Sequence, residues 1–201
     1  MRLTKAIEPV LSKIIAHGFL TSLAAGALPK EIYHFYLVQD YYYLLEYRDA
    51  LMRLANQAVC ENESSFFRAC AQACSTEPAF DIHNDIHDKK IPLTKACEDY
   101  ITFLKKHTNA DYESGVAAVF PCFYIYFRVA QEMNPRNKEN PYQSWFDIYA
   151  TDLFSQQNET ILNILEKINQ VSSDQKQREL AEIIEVGSAL EWRFWDEAYQ
   201  P

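Results

Sequence analysis

Turn-forming residues are scarce in this chain, which holds four glycines and eight prolines among 201 residues. An all-β fold of this size needs glycine and proline at many strand connections, whereas a helical bundle needs few of them. Nearly every segment between these residues has the sequence pattern of a helix. We therefore expect an all-α fold, a bundle of roughly seven or eight helices with short connections.

Proline, glycine and capping residues divide the chain into these expected helices. Gly26 ends the first helix, and Ser172 with Gln175 has the spacing of a capping box for the last. The expected first residues or caps are Thr4, Pro29, Ser64, Pro92, Asn109, Asn140 and Ser172. The expected helices cover residues 4–25, 29–60, 64–77, 92–107, 109–134, 140–171 and 172–199. The length of the whole chain, residues 1–201, fits one domain with a sizeable core.

The charge balance excludes several classes of partner. The net charge is −9 and the pI is about 5.0, whereas nucleic acids and anionic membranes select clusters of lysine and arginine. The longest apolar runs, residues 19–28 and 116–127, are shorter than the ~20 residues that span a bilayer. We expect neither a nucleic-acid partner nor a membrane partner.

The cysteines and the N-terminal segment indicate the cellular compartment in which the protein works. Five cysteines, an odd number scattered over helical segments, do not suggest a disulfide framework. The N-terminal segment carries several charged residues and makes a poor signal peptide. We expect a reducing, cytoplasmic location.

Asp40 is an acidic residue on an apolar helix face. In the stretch FYLVQDYYYLLEY, the positions within about 60° of Asp40 on a helical wheel are all apolar or aromatic. They are Tyr33, Tyr36, Leu37, Tyr43, Leu44, Tyr47 and Leu51, whereas Glu31, Glu46, Asp49 and Arg53 point away. A buried unpaired charge is costly, so we expect a group that compensates Asp40.

Three other helices also direct polar groups towards the expected core. Cys122 and Tyr126 share an apolar stripe, one turn apart, beside Pro121, which tends to kink a helix and open space. Glu191 lies on the apolar face of the last helix, and Tyr149 lies on the inner side of the helix that follows Pro141. Two inward carboxylic acids and a thiol in one small bundle favour a site for acid–base and nucleophilic chemistry.

Each of these residues also has a purely structural interpretation. A single buried aspartate is more often a hydrogen-bonded structural group, and a free cysteine is commonly a small core residue. Tyrosines at helical spacing usually belong to the core. The combination of residues, rather than any one of them, favours a functional site.

Four motifs in this order and spacing resemble the TenA/thiaminase II family. They are YLVQDYYYL, FPCFYIYF, YQSWFDIYATDLF and LEWRFWDEAY, and the resemblance covers essentially the whole chain. The cysteine of the Pro-Cys motif points to the branch with a nucleophilic thiol. The resemblance implies an all-α, haem-oxygenase-like bundle, assembled as a homotetramer, that works without a metal or an organic cofactor.

The resemblance also implies an activity. Members of this family hydrolyse the bond at the methylene carbon attached to a 4-amino-2-methylpyrimidine ring. The substrate is thiamine or aminomethylpyrimidine, and the product, hydroxymethylpyrimidine, enters thiamine salvage. The expected partner of this chain is therefore a small-molecule pyrimidine.

The motifs assign roles to the polar residues. Asp40 resembles the carboxylate that binds the aminopyrimidine edge, with Tyr43 beside it, and Tyr47 lies on the same face. Cys122 resembles the nucleophile that adds to the ring. Glu191 resembles the acid–base group that protonates the ring or the leaving group and then activates water.

Aromatic residues complete the expected site. Tyr126 and Tyr149 resemble residues that orient the ring and the thiol, and Phe194 is expected to stack on the ring. The chain departs from the family pattern in IPLTKACEDY, where a tyrosine is usual and Cys97 occurs, although Tyr100 is a candidate substitute. This departure leaves the choice between thiamine and aminomethylpyrimidine open.

Other possible sites have weaker support. His83 and His87 lie one helical turn apart, but their neighbours are polar, and a zinc site needs further ligands. The helices of Cys122 and Glu191 contain no histidine, which argues against a di-iron site. Cys70 and Cys74 share a helix face without a second cysteine pair, so packing explains them most simply.

Two alternative functions stay open. The chain could be a binding or interaction protein that keeps the pocket without turnover. It could also be an oxidase related to the cofactor-synthesis enzymes with this bundle, although those favour histidines and basic residues in the pocket.

Overall fold

The all-α prediction is confirmed by a computed structural model, which describes residues 3–74 and 91–200. A short 3-10 helix, Leu3–Ala6, precedes nine α-helices within these residues. The helices are α1 (Glu8–Ile15), α2 (Gly18–Ala24), α3 (Lys30–Gln57), α4 (Glu61–Cys74), α5 (Lys95–Thr108), α6 (Tyr112–Met133), α7 (Gln143–Tyr149), α8 (Asp152–Val171) and α9 (Asp174–Tyr199).

Long helices surround an aromatic core. Helix α3 packs against α4, α5 and α6, and α9 packs against α6, α5 and α3. The largest fully buried side chains are aromatic, among them Trp145, Trp195, Tyr36 and Tyr100. Three of the helices that carry the expected site residues, α3, α6 and α9, therefore meet in the centre of the bundle.

The first expected helix is wrong as a single element. Residues 4–25 form the 3-10 helix, α1 and α2, and the last break falls at His17, whose ψ of 138° is extended. The His17 ring accepts a hydrogen bond from the backbone N–H of Phe19, which caps α2. Its other nitrogen hydrogen-bonds Asp196 at 3.2 Å, so a contact with α9 stabilises the break.

The expected helix over residues 140–171 is also two helices, α7 and α8. Thr151 between them has an extended ψ of 151°, and its hydroxyl accepts a hydrogen bond from the N–H of Phe154. A threonine cap supplies the partner that a continuous helix would otherwise supply, so the chain can change direction here. This break lies beside Tyr149, one of the expected site residues.

Several helices begin a few residues from their expected starts. Ser64 does not cap α4 but lies inside it, and its hydroxyl donates to the backbone oxygen of Ala55 at 2.7 Å. Pro29 is the N-cap of α3, as expected. The other observed N-caps are Thr94 rather than Pro92 for α5, Asp111 rather than Asn109 for α6, and Ser173 rather than Ser172 for α9. Neighbouring polar residues compete for each cap, and the sequence pattern does not rank them.

Helices α6 and α9 approach each other closely at Gly187. A Cβ atom on Gly187 would lie 2.9 Å from Cγ of Pro121 and 3.3 Å from Cε1 of Phe103. Pro121 is inside α6 and adjoins Cys122, so this contact helps to fix the thiol relative to α9.

Replacing Gly187 with alanine should therefore destabilise the protein. The substitution favours the helix by about 1 kcal/mol, but overpacking against a rigid proline ring costs about 1–3 kcal/mol. Urea denaturation should show a lower free energy of unfolding for G187A, whereas V186A, at an exposed position of the same helix, should change little. A G187A protein as stable as the wild type would contradict this account of the packing.

Candidate active site

A cavity of about 170 Å³ opens into the bundle between α3, α4, α6, α7 and the start of α8. Its polar lining groups include a carboxylate, a thiol and several phenols, and its remaining walls are mainly apolar. The lining residues are Asp40, Tyr43, Leu44, Tyr47, Leu51, Cys70, Ala73, Cys74, Cys122, Phe123, Tyr126, Ile148, Tyr149, Thr151, Leu153, Phe154 and Gln157.

Six of the eight expected site residues line this cavity. They are Asp40, Tyr43, Tyr47, Cys122, Tyr126 and Tyr149. The structure thus brings together side chains from α3, α6 and α7 that are far apart in the sequence. The other two, Glu191 and Phe194, are buried on α9 but do not line the cavity.

Asp40 is buried, with 5% of its surface exposed, as its position on the wheel predicted. It faces the phenols of the core, and its charge adds to burial in raising the pKa of Tyr36 and Tyr126. A carboxylate at the wall of a small cavity is suited to accept hydrogen bonds from a ligand. Its position therefore fits the expected contact with an aminopyrimidine edge.

Glu46, which is expected to point away from the Asp40 face of α3, is nevertheless buried. Glu46 is 8% exposed, and it pairs with Arg53 and with Lys105, the latter at 3.4 Å. Helix α5 covers this second face of α3. A helical wheel drawn for α3 alone cannot show that another helix packs there.

Cys122 is partly buried and contributes to the cavity wall. Burial and the charge of Glu191 raise the pKa of its thiol, and the nearby hydroxyls of Tyr43 and Tyr47 oppose that rise. The Tyr47 hydroxyl donates to the backbone oxygen of Val119 at 2.9 Å, which fixes this phenol next to the helix segment that contains Pro121. The resting thiol is therefore protonated and needs a base to become a nucleophile.

Glu191 is 2% exposed and accepts a hydrogen bond from the Tyr100 hydroxyl at 2.7 Å. Burial raises the pKa of Glu191 to about 8, and the hydrogen bond from Tyr100 opposes the rise. A carboxyl group with this pKa can both release and accept a proton near neutral pH. Asp40 and Glu191 thus occupy different environments, one at the cavity and one behind it.

Tyrosine and tryptophan side chains support the part of the cavity wall that Tyr126 and Tyr149 form. The ring of Tyr126 lies 4.8 Å from that of Tyr149 and 5.7 Å from that of Trp145. The hydroxyls of Tyr126 and Tyr36 are 3.3 Å apart, and the Trp145 indole N–H donates to Tyr36 at 3.4 Å. These contacts restrict the rotamers of Tyr126 and Tyr149, the two tyrosines that are expected to orient the pyrimidine ring.

Phe194 supports the site from behind. Its ring packs against Tyr43 with centroids 5.7 Å apart and against Tyr36 at 6.0 Å. Phe194 therefore positions these phenols, and its stacking on a bound ring stays a prediction.

The Tyr43 hydroxyl is buried and makes no hydrogen bond of normal length and angle to the described residues. An unsatisfied buried hydroxyl costs about 1–3 kcal/mol, which a partner in the cavity would recover. Cys122 and Tyr100 lie near this hydroxyl, and a polar ligand in the cavity would give it a further partner.

Part of the cavity wall lies outside the residues that the sequence predicts for the site. Cys70 and Cys74, which packing explains most simply in the sequence, both line the cavity, together with Phe123 and Phe154. Their position on one face of α4 was the available signal. Cys97 does not line the cavity, since its thiol is buried and contacts the backbone oxygen of Gln39 at 3.4 Å.

Within residues 3–74 and 91–200, three or more histidine, cysteine, aspartate or glutamate side chains do not cluster as metal ligands would. The possible metal pair His83 and His87 lies outside the described residues. In the described part of the chain, we find no helix long and apolar enough to cross a membrane.

Solved structures identify the class of fold. The TenA homologue from P. horikoshii OT3 has a TM-score of 0.82 at 23% identity, over 98% of this chain and 96% of that one. A domain with a heme oxygenase-like fold from Shewanella denitrificans has a TM-score of 0.68 at 14% identity, over 100% and 93%. The expected haem-oxygenase-like bundle is confirmed.

The sequence then identifies the family. Residues 4–201 match the TENA/THI-4/PQQC family, and the chain belongs to it. An aminopyrimidine aminohydrolase from Helicobacter pylori is 28% identical over 96% of this chain and 94% of its own length. The thiamine biosynthesis multifunctional protein ThiED of Corynebacterium efficiens is 31% identical over 76% of this chain, which spans 22% of that longer protein.

The raised pKa of Glu191 predicts a pH-dependent contribution to stability. Above its ordinary pKa of 4.5, this group ionises in the unfolded chain but stays protonated in the folded protein until about pH 8. The wild type should therefore lose up to about 1.4 kcal/mol of stability per pH unit in this window, and E191Q should not.

Urea denaturation of both proteins at about pH 5, 6, 7, 8, 9 and 10 measures this effect. The free energy of unfolding of E191Q minus that of the wild type should rise with pH and level off above 8. The same difference for E185Q, at an exposed position of α9, should stay nearly constant. A pH-independent difference for E191Q would show that the carboxyl titrates normally.

Proposed function

We propose that this protein is an aminopyrimidine aminohydrolase. Its substrate is 4-amino-5-aminomethyl-2-methylpyrimidine, and its products are hydroxymethylpyrimidine, for thiamine salvage, and ammonia. Relatives from Helicobacter pylori and Bacillus subtilis carry this name, and they share 28% and 23% identity with the chain. The resemblance of its motifs to those of the TenA/thiaminase II family supports the same activity.

The observation that carries the proposal is the cavity that joins Asp40, Cys122 and a set of phenols. Its volume, about 170 Å³, is close to the ~150 Å³ of a cavity that accepts benzene in another protein. Sites for larger, drug-sized ligands start at about 300 Å³. The space suits one six-membered ring with small substituents better than the two rings of thiamine.

Asp40 binds the amino edge of the ring, because a carboxylate accepts the N–H donors that an aminopyrimidine offers. The phenols of Tyr126 and Tyr149, fixed by their ring contacts, orient the heterocycle. The hydroxyl of Tyr43 adds a further polar contact. Proteins usually orient a flat ligand with a small number of polar groups in an otherwise apolar pocket.

The chemistry is a covalent hydrolysis. The Cys122 thiolate adds to a ring carbon, and the added electron density helps to break the bond between the methylene carbon and the amine. The amine takes a proton and leaves as ammonia. Water then attacks the methylene carbon, and the carbon–sulfur bond breaks to restore the ring and the thiol. Glu191 is the acid–base group for these proton transfers, as its pKa of about 8 permits.

The proposed assembly rests on the family resemblance, and the proposed location rests on the odd, scattered cysteines and the charged N-terminal segment. We propose a homotetramer in the cytoplasm, acting without metal or cofactor and without contact to DNA. The net charge of −9 supports the last point, since DNA binding depends on cationic residues.

The cavity volume predicts the preferred substrate. The rate of hydroxymethylpyrimidine formation at low substrate concentration, kcat/KM, should be at least about tenfold higher for aminomethylpyrimidine than for thiamine, because the second ring must displace wall residues. Separate incubations followed by chromatography measure both rates. Equal rates would contradict the size argument, and binding of both compounds without conversion would favour the non-catalytic alternative.

Cys122 provides a direct test of the mechanism. Cys122→Ala should lower kcat by about a thousandfold or more, because a covalent pathway loses its nucleophile. Cys60→Ala, at an exposed cysteine remote from the cavity lining, is the matched control and should keep the wild-type rate. A C122A protein with an unchanged rate would remove the thiol from the mechanism.

A further inference from the structure

The most exposed part of the cavity wall lies at the start of α8. Most of the lining residues are buried, among them Asp40, which is 5% exposed. Leu153 is 63% exposed, and Thr151 is exposed as well. Exposed residues in a cavity wall mark the side that faces solvent. A ligand that Asp40 holds inside the bundle therefore has its opposite side near the first turns of α8.

Gln157 is the polar residue that α8 adds to this part of the wall. The helix contributes Leu153, Phe154 and Gln157 to the lining, and Gln157 follows the other two by four and three residues, on one helix face. Leucine and phenylalanine side chains form no hydrogen bonds, whereas a carboxamide offers a carbonyl acceptor and two N–H donors. The carboxylates of Asp152 and Glu159, on the same helix, do not belong to the described lining.

The carboxamide of Gln157 is available to a ligand. It makes no hydrogen bond within the described part of the chain. The hydroxyl of Thr151, by contrast, donates to the backbone oxygen of Ile148 at 3.2 Å and accepts from the N–H of Phe154 at 3.1 Å. The carboxamide of Asn158 also serves its own helix, since its nitrogen donates to the backbone oxygen of Phe154 at 3.1 Å.

We propose that Gln157 selects the leaving group, because its carbonyl oxygen accepts a hydrogen bond from the aminomethyl nitrogen of the bound pyrimidine. This inference rests on the proposed function and makes its substrate choice specific. It assigns Asp40 to the amino edge of the ring and Gln157 to the group that departs.

The two candidate substrates differ at the nitrogen that leaves. A protonated aminomethyl group carries three N–H donors, as a lysine ammonium does, and this is the form that departs as ammonia. In thiamine, the corresponding nitrogen belongs to the thiazolium ring and has no hydrogen. Only the first of the two leaving groups can therefore donate to Gln157.

The position near solvent suits a charged leaving group. An ammonium ion that is surrounded by apolar side chains alone is costly, so a carbonyl acceptor and access to water stabilise it here. Hydrogen bonds to charged groups are stronger than those between neutral groups. A site that binds an N–H group discriminates against an analogue that lacks it, so Gln157 adds to the selection that the cavity volume makes.

Equilibrium binding of two pyrimidines tests this contact without turnover. One is aminomethylpyrimidine, and the other is 4-amino-2,5-dimethylpyrimidine, which has a methyl group in place of the aminomethyl group. Isothermal titration calorimetry measures both dissociation constants in Cys122→Ala and in the double variant Cys122→Ala/Gln157→Leu, so that the substrate is not consumed. The second substitution should weaken binding of aminomethylpyrimidine about tenfold to a hundredfold, and binding of the dimethyl compound less than about threefold.

Gln156→Leu is the matched control in the same Cys122→Ala protein. It makes the same substitution at the neighbouring residue, which is exposed and outside the cavity lining, and it should leave both dissociation constants unchanged. Gln157→Glu keeps an oxygen acceptor on a side chain of the same length. This variant should bind aminomethylpyrimidine at least as tightly as the protein with glutamine does.

Turnover gives a second measure of the same contact. In the protein with Cys122 intact, Gln157→Leu should lower kcat/KM for aminomethylpyrimidine at least about tenfold and leave kcat/KM for thiamine nearly unchanged. The preference for aminomethylpyrimidine should therefore become smaller. A role of Gln157 in folding alone would lower both values by the same factor.

The outcomes separate this contact from the proposed function. If both pyrimidines bind and Gln157→Leu weakens them equally or not at all, the contact is overturned while the function stands. If neither pyrimidine binds to Cys122→Ala, the proposed function fails and the contact fails with it. A loss confined to aminomethylpyrimidine, with Gln156→Leu unchanged, supports the contact.

Discussion

Burial of two carboxylic acids in one helical bundle is the constraint on which this site depends. An ionised carboxylate inside a protein is stable only if other groups supply hydrogen bonds or if it stays protonated. Asp40 is buried at the wall of the cavity, where a ligand can supply donors, and Glu191 is buried behind it with a pKa of about 8. Each environment prepares its acid for a different task, ligand binding in one case and proton transfer in the other.

The bundle creates these environments through local interruptions of regular helix. The cap at Thr151 separates α7 from α8 and leaves Tyr149 in the cavity wall. Pro121 next to Cys122 packs on Gly187 of α9, which places the thiol helix close to the helix of Glu191. Rigid aromatic contacts then fix the phenols, so that the site is largely formed before a ligand enters.

Helical periodicity was sufficient to predict that the acids and the thiol of the site turn inward, but it did not predict the burial of Glu46. It placed Asp40, Cys122 and Glu191 in the interior because each lies on the apolar face of a long helix. It could not predict the breaks at His17 and Thr151, where a side-chain cap and tertiary contacts replace helical hydrogen bonds. Nor could it show that Glu191 lies behind the cavity, because the relative positions of helices depend on packing that no single helix encodes.

The most direct test of the central claim is a crystal structure of the protein with hydroxymethylpyrimidine bound. The account predicts the ring in the cavity, its amino group within about 3.2 Å of an Asp40 oxygen and the Cys122 sulfur facing a ring carbon. A ring bound elsewhere, for example in the open groove between α5 and α9, or bound in the cavity with its amino group turned away from Asp40, would contradict the account.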